Sequence, residues 1–402
     1  MGDTLFLAHR LPDRPDRGDK IRSYHILHHL AQRGRVHLAA FTDDARGGSG
    51  ESSLPWLTGS RAIVPRTKSR AIAAVEALVR GKPVSLTAFD DRALRDAVQT
   101  MLARHPIDLI YVFSGQMAQY LPAGARPHVV MDFVDMDSAK FTDYAAAARG
   151  PARWMMTREA RLLQAFERDV AARAEASLFV SAAEAELFRA KTGAECVHAI
   201  ENGIDTAFFD PAVAFDAADA PDDLIVFTGQ MDYRPNIEAV TWFAQAILPQ
   251  VRSRHPDATF AIVGRAPGDA VRALAKQPGV IVTGEVADVR GWLAAARVVV
   301  APLKLARGIQ NKVLEAMAMA RPVVASVPAA EGIAHAGTIR IGANAGEIAV
   351  QVAGLLDDPA AAAELGASAR VQVQRRYSWG ACLAPLDDLL AGGKPPARRS
   401  AA

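Results

Sequence analysis

Short apolar runs alternate with longer amphipathic stretches over nearly the whole chain. In the first half, Leu5–Ala8, His37–Phe41, Arg61–Pro65, Ile107–Phe113, Val129–Val134 and Ser177–Ser181 read as buried strands, rich in β-branched and large aliphatic residues. Between them, periodic apolar positions predict helices from about Ile21 to Gln32, Asp91 to Arg104, Ala152 to Ala174 and Ala182 to Lys191. After an Ala- and Asp-rich run, AVAFDAADAPDD, the alternation restarts. Leu224–Gly229, Thr259–Gly264, Val280–Gly284, Val298–Val300, Val323–Val324 and Thr338–Ile341 are the further strands, with a helix starting near Asn236. Strand and helix in succession predict an α/β chain of two doubly wound parallel sheets.

Candidate chemistry concentrates in Val298–Ser326, VVVAPLKLARGIQNKVLEAMAMARPVVAS. A strand meets Pro302, a loop carries Lys304, Arg307 and Gly308, and Gln310 and Asn311 open a helix closed by Arg321-Pro322. Val313, Leu314, Met317 and Ala318 make its apolar face, which leaves Lys312 and Glu315 on the flank beside the strand ends. A carboxylate there can accept from two vicinal ribose hydroxyls, and the free N–H groups of the helix start can meet a diphosphate. Arg307 and Lys312 would add cations. The competing reading is a solvated Glu–Lys pair on an ordinary amphipathic helix.

The run NKVLEAMAMARPVVAS resembles the donor-site signature of family 4 glycosyltransferases of the GT-B type. With RGIQNKVLEAMA it is similar to the bacterial sugar transferases associated with exosortase (PEP-CTERM) exopolysaccharide loci. The resemblance implies two Rossmann-like domains facing a cleft, with a C-terminal helix crossing back to the first. It also implies a retaining transferase that moves a sugar from a nucleotide-diphosphate sugar to a glycan or lipid-linked acceptor. By it, Glu315 takes the ribose. The family's other glutamate, eight positions earlier, is replaced here by Arg307, which joins the candidates for catalysis.

Other motifs extend the resemblance. The turn Asn202-Gly203-Ile204-Asp205 stands where the family's first domain ends. Gly229 and Gly264 close two strands of the second half, and Glu285-Val286 matches a segment whose backbone reads the nucleotide base. The family's arginine and lysine after the first of these strands are missing, since Gln230 and Met231 intervene, so Arg234, Arg307 and Lys312 are the expected diphosphate partners. The donor-side candidates are therefore Gly229, Arg234, Gly264, Glu285, Val286, Gly308, Gln310, Asn311, Lys312 and Glu315. Gly18, Asp19 and Lys20 match an acceptor-side glycine loop, whose alternative reading is a solvated charged turn. In DFVDMDSAK, carboxylates stand near the place of a family histidine, so Asp135 and Asp137 are candidates for contact with the acceptor hydroxyl or donor sugar. Helix capping by Asp137 or Ser138 is the plainer alternative.

Length and charge narrow the classes. The 402 residues, half of them hydrophobic, suffice for two cores, and expected boundaries are 1–210 joined by a terminal helix 378–391, then 211–377, then a disordered tail 392–402. A net charge of +2 gives no field that would argue for nucleic acid. No metal site or cofactor is expected, and the departing diphosphate is left to helix N-termini and cations. Cys196 and Cys382 lack metal spacing and read as buried small residues of a reducing compartment. No signal peptide or 18-residue apolar span is visible, so a cytoplasmic protein is expected, with peripheral contact at the inner face of a membrane as an option. That option comes from Ile72, Val75, Leu78 and Val79 in a stretch rich in Arg and Lys, which fits either a helix on anionic lipid or an ordinary amphipathic helix with a solvated face. Rival functions are a nucleotide-sugar epimerase of the same architecture and a non-catalytic scaffold of a polysaccharide complex. An NAD-dependent oxidoreductase is disfavoured because no GxGxxG follows a strand.

Overall fold

The computed structural model of the chain describes residues 2–13, 18–43, 54–122, 124, 127–306 and 308–390. It divides into two compact units, one taking the chain up to Asn202 together with Leu383 onwards, the other running from Gly203 to Cys382. The expected tail 392–402 lies outside the described residues.

In the first unit, β1 (Asp3–Ala8), β2 (Val36–Thr42), β3 (Arg61–Pro65), β4 (Ile107–Phe113), β5 (His128–Val134), β6 (Ala176–Phe179) and β7 (Val197–Ala199) form one sheet. Its order is β3-β2-β1-β4-β5-β6-β7, and all neighbours are parallel. Strands covered on both faces need apolar residues on both, and β2 is accordingly buried at every position. The strand expected over Ser177–Ser181 stops at Phe179, because the Ser181 hydroxyl caps the helix Ala182–Thr192, accepting from the Glu184 N–H at 3.2 Å.

Glu159 and Glu167 are buried in the helix Gly150–Ala171. Glu159 accepts from the amides of Val84 at 2.8 Å and Ser85 at 2.7 Å, so it caps the short helix Val84–Thr87 in place of a local residue. Glu167 accepts from the Ser138 amide at 3.0 Å, and burial pushes its carboxyl up to about 7. Cys382 is buried as expected but Cys196 is exposed, since it falls in the turn after Gly193 rather than on a strand. The last helix is Trp379–Leu390, and from Leu383 on it belongs to the first unit. There Asp387 accepts from His29 Nε2 at 2.8 Å and pairs with Arg33.

The second unit holds β8 (Leu224–Thr228), β9 (Thr259–Val263), β10 (Val280–Gly284), β11 (Val298–Ala301), β12 (Val323–Ser326) and β13 (Arg340–Gly342). Their order is β10-β9-β8-β11-β12-β13, again all parallel. The order reverses direction between β8 and β11, and a ligand crevice is expected at the carboxyl ends of strands where this happens. A helix runs from Arg234 to Arg252 with a π-helical turn at Phe243–Ile247, and the helix Asn311–Ala318 follows β11. Among the described residues no helix is long and apolar enough to cross a membrane.

Candidate functional site

The carboxyl ends of β8, β9 and β10 are drawn together by backbone bonds: the Gly229 amide donates to the Val263 carbonyl at 3.0 Å and the Gly264 amide to the Gly284 carbonyl at 3.1 Å. Gly264 has φ +150°, and a Cβ there would lie 1.7 Å from the Gly229 oxygen, so only glycine lets these strand ends approach. Above them opens a cavity of about 460 Å³. Gly229, Gly264 and Arg265 line one part of it, Glu285, Val286 and Val289 a second, and Asn311, Lys312 and Glu315 a third.

The helix Asn311–Ala318 presents its start to this space. Gln310 at its N-cap makes no side-chain cap bond; its carbonyl takes the Val313 amide at 3.0 Å, while among the described residues none accepts from the amides of Asn311 and Lys312, which leaves these two for an anion. Lys312 Nζ donates to Asn236 Oδ1 at 2.6 Å and lies 4.0 Å from the centre of the Phe227 ring. Asn236 is itself fixed by donating from Nδ2 to the Gln230 carbonyl at 2.9 Å. Burial pulls the Lys312 ammonium down to about 7 and pushes the Glu315 carboxyl up to about 7, each charge partly offsetting the shift of the other. Among the described residues none donates a hydrogen bond to the Glu315 carboxylate, although it is half-buried. The solvated-pair reading of Lys312 and Glu315 therefore fails: both are withdrawn from water. The arrangement suits a ligand with hydroxyls at one end and negative charge at the other.

Residues 222–358 match the family model described as glycosyl transferases group 1. Solved structures resemble the whole chain. HepE of Anabaena in complex with UDP is 18% identical with TM-score 0.61, the match covering 97% of this chain and 100% of that one. Sucrose-phosphate synthase of Thermosynechococcus elongatus is 19% identical with TM-score 0.62, covering 97% and 98%. A glycosyltransferase of Rickettsia africae is 13% identical with TM-score 0.59, covering 97% and 98%. The chain has the GT-B fold. Its second unit carries a glycosyl transferases group 1 domain. Among curated protein sequences, none matches the chain.

Within this group 1 domain, the structure gathers Gly229, Gly264, Glu285, Val286, Asn311, Lys312 and Glu315 around one cavity. Gly308 and Gln310 stand just outside its lining, the Gln310 side chain donating to the Gly308 carbonyl at 3.1 Å. Arg234 is set apart from it: the first residue of its helix, it points to solvent and pairs with Glu238 one turn on at 2.8 Å. The cation that lines the cavity instead is Arg265, held by Gln230 Oε1 at 3.1 Å. Arg307 lies outside the described residues.

Sequence reasoning missed Asn236, Arg265 and Thr228. Asn236 was detectable as the one polar member of the buried series Asn236, Ala239, Val240, Phe243. Thr228, 4% exposed, has its hydroxyl buried at the cavity edge without a partner among the described residues. Arg265 follows a strand-ending glycine, where periodicity carries no information.

On the first unit, Gly18 and Asp19 open the helix Gly18–Ala31, and Lys20 pairs with Asp13 at 2.8 Å. Asp135 is exposed just beyond β5. Asp137, half-buried at the start of the helix Asp137–Ala147, accepts from Gln116 Nε2 at 2.9 Å and from Lys140 at 3.2 Å. Asp132, earlier on the same strand, is set apart from these two at the backbone. Val134 adopts φ +71°, rare for a β-branched residue, and re-aims the chain there. Asp132 stays fully buried, accepting from Arg22 Nε at 3.0 Å, the Tyr111 hydroxyl at 2.9 Å and the Val134 amide at 3.1 Å.

Proposed function

We propose that the protein transfers a sugar from a nucleoside diphosphate sugar to a glycan or lipid-linked acceptor, with retention at the anomeric carbon. The proposed setting is bacterial exopolysaccharide synthesis of the family 4 type, with peripheral contact to the inner face of a membrane. The carrying observation is the Glu315 carboxylate, half-buried at the rim of a cavity that also holds the Lys312 ammonium and, among the described residues, without a donor. That pairing fits a nucleotide: vicinal ribose hydroxyls donate to Glu315 while the diphosphate meets Lys312, Arg265 and the helix start. UDP-glucose is the first donor to test, because HepE is solved with it.

Departure of a nucleoside diphosphate needs two negative phosphates stabilised as the sugar bond breaks. Ammonium, guanidinium and amide donors stand ready for that charge, which supports a reaction without a metal or other cofactor. The acceptor hydroxyl forms the new bond to the anomeric carbon and gives up its proton, for which Asp135 and Asp137 are the proposed takers. Arg307 remains a proposed partner of the donor. Raised melting temperature with one nucleoside diphosphate over others, and its release from the matching sugar donor when glycan or lipid-linked acceptor is added, is the expected result. Appearance of a sugar isomer without acceptor would instead make the protein an epimerase, and no response to any nucleotide would leave a scaffold.

A further inference from the structure

The helix Arg70–Arg80 on the first unit is inside out. It is well formed at both ends, with the Ser69 hydroxyl accepting from the Ile72 amide at 3.3 Å and Gly81 closing it at φ +67°. Yet the residues it buries are Ala73 and Ala77, while Ile72 is 61%, Val75 64%, Leu78 46% and Val79 82% exposed. At 3.6 residues per turn those four fall within an arc of about 120°, a continuous apolar stripe facing outward. An ordinary amphipathic helix would turn its polar face to solvent, and here the apolar face is the exposed one.

The stripe is held rigidly from beneath. Arg158 donates to the Ala77 carbonyl at 2.8 Å and to the Lys82 carbonyl at 3.1 Å, and Lys68 donates to the Thr87 and Asp90 carbonyls at 3.0 and 2.8 Å. One turn before Arg158 on the same helix face stands Trp154, 59% exposed. Around the stripe basic residues outnumber acids, although Arg66 pairs with Asp43 at 2.8 Å and Arg80 also with Asp90 at 3.3 Å. Between Arg66 and Lys82 there are five basic residues and a single acid, Glu76, which is already paired with Lys68 at 2.9 Å and Arg80 at 2.8 Å. The excess is local, because the whole chain carries only +2.

We propose that this stripe, with Trp154 and the flanking Arg70, Arg80 and Lys82, docks on an anionic lipid bilayer. Aliphatic side chains raised on a helix, an indole beside them and a cationic rim are what an interfacial helix needs: the apolar arc enters the acyl boundary while the cations meet lipid phosphates. A second copy of the chain is the poorer occupant, since an isologous contact would bring two cationic rims together. The proposal places the lipid contact of the proposed reaction on a named surface, but its test uses no sugar transfer, so the two can fail separately.

The test sediments the full chain with phosphatidylcholine vesicles that either contain or lack phosphatidylglycerol. Expected is binding that requires phosphatidylglycerol and weakens with salt, and that falls by about tenfold or more in Val75→Asp/Val79→Asp, whose exposed sites leave the melting temperature unchanged. Arg70→Glu/Lys82→Glu is expected to remove the preference for phosphatidylglycerol. Binding that is absent, or undiminished in the valine double variant, would overturn the proposal. So would light scattering that shows a dimer in the parent and a monomer in that variant, which would assign the stripe to a second copy.

Discussion

Lys312 and Asn236, 76 positions apart, meet in a 2.6 Å hydrogen bond that holds a half-buried ammonium at the edge of the donor-side cavity. The bond satisfies one of three ammonium donors, and burial still pulls its pKa down to about 7. A protein gains little stability from such a group, which supports the proposed use for a ligand. Lys312→Met is expected to change stability by no more than about 1 kcal/mol while weakening nucleoside diphosphate binding by about 1.5–3 kcal/mol, the range for a hydrogen bond to a charged group. Titration calorimetry with the diphosphate, set beside a thermal melt, separates the two.

Glu315 gives a sharper discrimination, because its proposed partners are hydroxyls. Glu315→Ala is expected to lose about 1 kcal/mol or more for each ribose bond. The parent should also prefer a ribonucleoside diphosphate over its 2′-deoxy counterpart, and the variant should not. Equal affinity of the parent for both sugars would remove Glu315 from the ribose.

Why some of this was legible and some not follows from what periodicity encodes. β11, the helix after it and β12 could be read because apolar spacing fixes which side of each element is buried, and Glu315 and Lys312 come with them. Arg234 shows the limit: a cation near a strand end has no period, and its partner Glu238, one turn along, turns it to solvent. The Arg70–Arg80 helix shows another, since an amphipathic pattern looks the same whether its apolar face meets a core or faces outward. Asn236 was legible in principle, as a polar residue in an apolar stripe, and such a residue asks for a buried partner.

The first unit rests on its own buried ion pair. Arg22, 1% exposed, donates to Asp132 Oδ2, to the Ile200 carbonyl at 2.7 Å and to Asn202 Oδ1 at 2.9 Å, tying the first helix to the end of the unit. Removing one member strands the other charge in a dry site. Asp132→Ala is expected to cost about 3–5 kcal/mol. Donor binding by the group 1 domain should survive in whatever fraction stays folded, which calorimetry with the diphosphate at low temperature would show.

Gly264→Ala tests the cavity floor. The new methyl would meet the Gly229 oxygen at 1.7 Å from a backbone at φ +150°, so β8 and β9 must part. A loss of about 3 kcal/mol or more is expected by chemical denaturation. Gly268→Ala, where a Cβ meets nothing within 4 Å, serves as the control and should stay within about 0.5 kcal/mol.

The paired titrations near 7 predict a dip in stability and a change of sign in proton uptake. Glu315 titrates at about 7 in the folded chain against an ordinary 4.5, so between those values the folded state holds the extra proton and stability falls as pH rises. Lys312 titrates at about 7 against an ordinary 10.5, so above 7 the unfolded state holds the extra proton and stability rises with pH. Each limb is at most about 1.4 kcal/mol per pH unit, and the free protein should be least stable near the crossing. Nucleotide binding at the proposed site would reverse both shifts, since phosphate favours the ammonium and ribose hydroxyls favour the carboxylate. At about pH 8, where Lys312 is mostly neutral, binding should take up a proton; at about pH 6, where Glu315 is mostly protonated, it should release one. Calorimetry in two buffers of different ionisation enthalpy measures this directly. Lys312→Met should erase the uptake and Glu315→Gln the release, whereas a parent that exchanges no protons at either pH would show that the nucleotide does not touch this pair.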